Sequence, residues 1–94
     1  MKVNIDILEK IIHSLFSELK EKNGNQIEIE SDYYWDISNE EMYNPYEEPA
    51  NMSLGQLSDD LAEIMRLQKD DSAIPYDFHR VANILKILGF EKQF

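Results

Sequence analysis

The stretch "QIEIESDYYWDI", residues 26–37, decides how this chain folds. Its apolar side chains fall at every second position, first in 26–30 and again in 33–37, and a period of two is the signature of a half-buried strand. If Glu30, Ser31 and Asp32 form a three-residue turn, Ile29 faces Tyr33 and Ile27 faces Trp35. One face of the resulting hairpin then carries Ile27, Ile29, Tyr33, Trp35 and Ile37. A two-residue turn would set Asp36 beside the isoleucines instead, so the longer turn is preferred. In this register Tyr33 and Trp35 are core, while Glu28, Tyr34 and Asp36 point outward. Two strands alone are marginal and need a covering element.

The sequence before the hairpin offers one. Over residues 4–22, Ile5, Leu8, Ile11, Ile12, Leu15, Phe16 and Leu19 recur at three- and four-residue spacing, with Glu9, Lys10, Glu18 and Lys20 opposite, which predicts an amphipathic helix. Asn4 suits its N-cap and "NGN" at 23–25 its end. After the hairpin, "SNEE" at 38–41 has the capping-box pattern but runs into Asn44-Pro45 and Pro49, so it opens a single turn at most. A Pro-punctuated loop covers 44–52. A second helix is expected over 54–69, where "SLGQ" at 53–56 is another capping-box pattern and Gly55 weakens the first turn, allowing a start nearer Ser58. A third begins near Pro75 and should end at Leu88, with Gly89 as a left-handed cap and Phe90 folded back on Leu85. The expected architecture is α+β, one small domain over 1–94 in the order helix, β-hairpin, helix, helix.

Ninety-four residues with 43% hydrophobic content leave room for one core, and the net charge is −10. No cysteine is present, which excludes disulfides and thiolate chemistry and agrees with a cytoplasmic setting. The N-terminus lacks the pattern of a signal peptide, and no apolar run has the length of a membrane span.

Charge is distributed unevenly. No Lys or Arg occurs between Asn23 and Met65, a stretch holding eleven acids. Such a field repels nucleic-acid phosphates and anionic lipid and speeds encounter with basic proteins. Nucleic-acid binding is further disfavoured because base-stacking aromatics need basic neighbours for the backbone.

Catalytic signatures are lacking. His13 and His79 fall on polar or boundary faces of separate helices, and no nucleophile elbow, phosphate loop or H-E-x-x-H occurs. Asp59, Asp60 and Glu63 could meet to hold a divalent cation. However, acids in a first helical turn complement the helix dipole without any metal. No catalytic residue, metal site or cofactor is therefore assigned. A small metal-binding protein or enzyme built on that carboxylate cluster is the alternative reading.

Aromatics and unpaired acids coincide only in "SDYYWDISNEEMYNPYEEP", 31–49. Exposed Tyr among charges is what interface hot spots use, and prolines pre-organise a loop. The expected binding residues are Tyr34, Asp36, Tyr43, Tyr46, Glu47 and Glu48, and the expected partner is a basic protein. A homodimer that buries this stretch against itself is a third reading.

"DYYWDIS", the Tyr and Pro of 43–49, and "LGQLSDDL" at 54–61 together resemble a group of small, acidic, uncharacterised bacterial proteins. These share a Tyr-Trp-x-Ile segment followed by Gly-Gln-Leu-Ser-Asp-Asp. The resemblance spans about residues 28–65 and implies no catalytic role. In size and acidity the chain is also similar to immunity proteins that neutralise basic toxin or nuclease domains.

Overall fold

The computed structural model describes residues 1–37, 44–46, 52–69 and 71–91. They fall into two compact units, Met1–Glu28 and Ile29–Glu91. The elements, in order, are helix, antiparallel strand pair, helix and helix, the expected α+β arrangement.

The first unit holds α1, Ile5–Asn23. Asn4 caps it as expected: its Oδ1 accepts the Ile7 N–H at 3.0 Å, satisfying one of the four orphan donors of a helix start. Gly24 ends it at φ 77°, a left-handed conformation that a Cβ would strain, and its N–H donates to the Lys20 carbonyl at 2.7 Å. Asp6 in the first turn and Lys20 and Lys22 in the last complement the helix dipole.

The second unit departs from the expected hairpin. Residues 26–30 form no strand. The partner of β1, Tyr33–Ile37, is β2, Met52–Gln56, in the register Tyr33↔Gln56, Tyr34↔Gly55, Trp35↔Leu54, Asp36↔Ser53, Ile37↔Met52. The amides of Glu30 and Ser31, placed by the expected register in a tight turn, instead each donate to the Glu91 carboxylate at 2.9 Å.

This pairing takes 52–56 out of the second helix. α2 spans Leu57–Ile64 and passes into a 3-10 turn over Met65–Lys69. Its start lies close to Ser58, and its cap comes from far along the chain. Asp32 accepts the Ser58 N–H at 2.8 Å, the Ser58 hydroxyl at 3.0 Å and the Gln56 side-chain amide at 2.8 Å, while its carbonyl takes the Leu57 N–H at 2.6 Å. One residue thus connects the entry of β1 to the first turn of α2.

α3 covers Tyr76–Glu91 behind Pro75. It does not end at Gly89, which is helical and has no positive φ. Phe90 is exposed rather than folded back on Leu85. The extra turn places Glu91 where it holds the 30–31 amides. α2 packs on α3, and Leu57 is the one buried apolar side chain among the described residues. No helix of the described residues is long and apolar enough to cross a membrane.

Candidate functional site: an outward aromatic face on the strand pair

Alternation along β1 sends neighbouring side chains to opposite faces. The helix-facing side carries Tyr34 and Asp36, which corrects the expectation that both point outward. The Tyr34 ring runs across Gly55, where a side chain would overlap it, and its hydroxyl donates to Asp60 Oδ2 at 2.5 Å. Buried Asn83 donates to the Tyr34 oxygen at 2.9 Å and to the same Asp60 oxygen at 3.3 Å. Glycine inside a strand commonly marks such a close approach, so Gly55 serves the strand pair rather than weakening a helical turn. Burial, and then the Asp60 carboxylate, push the Tyr34 hydroxyl well above the ordinary tyrosine range. A phenol that keeps its proton this firmly is a poor acid, base or nucleophile at neutral pH.

Asp36 approaches His79 Nε2 at 3.4 Å, a distance that makes an ion pair when the imidazole is charged. The His79 ring also lies 4.9 Å from that of Tyr76. Further along α3, buried Asp77 is held by both ends of Arg66, at 2.7 and 3.0 Å, and by Arg80 at 2.9 Å, and it accepts the Ile74 N–H at 2.8 Å. The Ile74 amide first, then the two guanidiniums, hold its carboxyl below the usual range against the opposing effect of burial. This cluster ties the 3-10 turn to the start of α3. Among the described residues no three acidic or histidine side chains converge as a metal site would require.

The other face of the strand pair is apolar and open. Trp35 is 65% exposed, its cross-strand neighbour Leu54 60% and Tyr33 58%. The expected burial of Tyr33 and Trp35 is therefore corrected. The expected register set them beside Ile27 and Ile29 on one face of a hairpin, and that hairpin does not form. With 52–56 as partner strand, the side that turns to α2 and α3 is the one bearing Tyr34. The sequence held a signal for this arrangement in "MSLGQ", where Met52, Leu54 and Gln56 alternate with small residues, and a strand reading there puts Leu54 beside Trp35.

Of the remaining expected binding residues, Tyr46 is exposed, in a turn where its N–H donates to Asn44 Oδ1 at 3.0 Å. Tyr43, Glu47 and Glu48 lie outside the described residues, as does the capping-box stretch 38–41. What the site offers is an exposed aromatic and aliphatic patch on the strand pair, within the stretch that carries no positive charge. Compared with models of protein families, with curated proteins and with solved structures, the chain gives no match.

Proposed function

We propose that this chain is a non-enzymatic, acidic protein-binding domain whose target is a basic protein, in the manner of an immunity or antitoxin-type inhibitor of a basic toxin or nuclease domain. The observation that carries the reading is the exposure of Trp35, Leu54 and Tyr33 on one face of the strand pair, inside a stretch of eleven acids without a Lys or Arg. Large aromatics left open in an otherwise acidic chain supply the buried anchor of an interface, and the surrounding carboxylates supply long-range steering. Tyr46 extends the aromatic supply, and Tyr43, Glu47 and Glu48 add to the same acidic-aromatic stretch. Tyr34 and Asp36 act from behind, fixing β1 to the helices. The acidic field disfavours nucleic acid and anionic membrane as ligands, and the absence of cysteine fits a cytoplasmic setting.

The test is capture of binding proteins from source-cell lysate by wild-type chain and by Trp35→Ala, followed by binding kinetics with the protein recovered. The expected target is basic, is lost or strongly weakened with Trp35→Ala, and associates more slowly as salt rises, because charges separated by more than about 8–10 Å are screened at physiological ionic strength. An acidic target, or one that binds Trp35→Ala equally well, defeats the proposal.

A further inference from the structure

α3 runs through Gly89 to Glu91 against two local preferences. Glycine is, after proline, the least favourable residue inside a helix, and it is the residue with which helices stop, in a left-handed cap just past their end. Gly89 is placed for that role, with Leu85 and Phe90 spaced to touch across the cap. Yet it is helical and has no positive φ. Glu91 breaks the second preference, because a carboxylate is disfavoured at the negative end of the helix dipole. The last turn of α3 holds no basic residue to offset it.

The compensation comes from far along the chain. The Glu30 N–H donates to Glu91 Oε2 and the Ser31 N–H to Oε1, each at 2.9 Å. Two successive amides thus grip both oxygens of one carboxylate, and hydrogen bonds to an ionised group are roughly twice as strong as neutral ones. The same contact turns the charge of Glu91 from a burden on the helix end into its fastening.

We infer that residues 89–91 are a conditional turn, helical while Glu91 holds the amides of 30 and 31 and unwound to a left-handed cap at Gly89 when that grip is released. Both states are locally satisfied, the first by a tertiary contact and the second by the helix-stop pattern of the sequence, which is what a two-state element requires. The segment gripped by Glu91 leads directly into Asp32, whose carboxylate caps α2 at Ser58 and whose carbonyl takes the Leu57 N–H. Displacement of the chain entering β1 is therefore relayed to the end of α3, where release brings Phe90 back toward Leu85. The coupling is reciprocal, so a change at the helix end must be felt at 30 and 31. The inference goes beyond the proposed binding role and uses none of Tyr33, Trp35 or Leu54.

Gly89 provides a handle for the test, because a Cβ added there meets nothing within 4 Å. Gly89→Ala favours the helical state without touching residues 30 or 31. Amide exchange of the labelled full chain, followed by NMR, should show protection at Glu30 and Ser31 rising about four- to fivefold, the equivalent of alanine's advantage over glycine in a helix. Glu91→Ala should act in the opposite sense. It should cut protection at the same two amides at least about tenfold and move the Cα chemical shifts of 88–91 from helical values to those of a helix end with Gly89 left-handed. Amides of residues 79–84, in the middle of the same helix, should exchange as in wild type in both variants. Unchanged exchange at 30 and 31 in Gly89→Ala overturns the inference, and so does a Glu91→Ala chain whose residues 88–91 stay helical. An equal change at 79–84 marks a global effect and overturns it too. Gly89→Ala strengthens the helix, so its result does not depend on a weakened fold surviving.

Discussion

Tyr34 stands opposite Gly55 in the strand pair, and its ring fills the space that any side chain at position 55 would occupy. The consequence is an arm reaching from β1 over β2 to α2, ending in the 2.5 Å hydrogen bond to Asp60. Gly55→Ala should therefore destabilise the fold by overpacking, by about 1–3 kcal/mol. Urea unfolding of the two proteins measures the difference. A change below about 0.5 kcal/mol, the range of an ordinary surface substitution, would mean that the Tyr34 ring does not lie across residue 55.

Removing the hydroxyl tests the far end of the same arm. Tyr34→Phe leaves Asp60 and Asn83 without their shared partner and should cost about 1–3 kcal/mol at neutral pH. The raised Tyr34 pKa adds a pH signature. Its stabilising contribution is complete below the unfolded value of about 10 and is lost as pH rises from there toward the folded value, because only the unfolded chain releases the proton. Wild-type stability should fall above about pH 10 more steeply than that of Tyr34→Phe. Parallel alkaline limbs would show that the hydroxyl is not protected.

Asp32 has the opposite sign. Hydrogen bonds from Gln56, first, and from Ser58 hold its carboxyl below the usual range, so its contribution is present above about pH 4 and fades as pH falls through the folded value. Asp32→Asn should lower the melting temperature at pH 7 and narrow its own difference from wild type as the buffer is acidified. A gap between the two proteins that stays constant from neutral to strongly acid pH would remove Asp32 from the role of α2 cap.

Trp35 is the only tryptophan, so fluorescence reads one site. At 65% exposure its native emission should lie close to that of tryptophan in water and move little on unfolding, whereas the hairpin expected from sequence demands a blue-shifted native band. Trp35→Ala should cost less than about 1 kcal/mol in stability yet more than about 1 kcal/mol in binding to the target. A native band well to the blue, or a stability loss of several kcal/mol, would place Trp35 in a core.

The parts of this chain that depend on near neighbours could be read from its residues. α1 and its Asn4 cap follow from 3- and 4-residue spacing and from a side chain bonding three positions on. Pro75 likewise announces α3, and the α+β order follows from periods of 3.6 and 2. The identity of the strand partner was not legible, because a period of two says that a segment is a strand without saying what it pairs with. Both "QIEIE" and "MSLGQ" can lie beside "YYWDI". Contacts between residues far apart in sequence decide for the second: Asp32 capping α2 at Ser58, Tyr34 crossing Gly55 to reach Asp60, and Glu91 taking the amides of 30 and 31. Each pairs polar groups across the unit, the Tyr34–Asp60 bond in a part-buried setting where an unpaired group is costly, and each exists only once the helices are in place. That choice turns Tyr34 inward and Trp35 outward. The composition of 31–49 marked a candidate stretch for a binding surface, and tertiary structure decided which of its described aromatics, Tyr33, Trp35 and Tyr46, face the solvent.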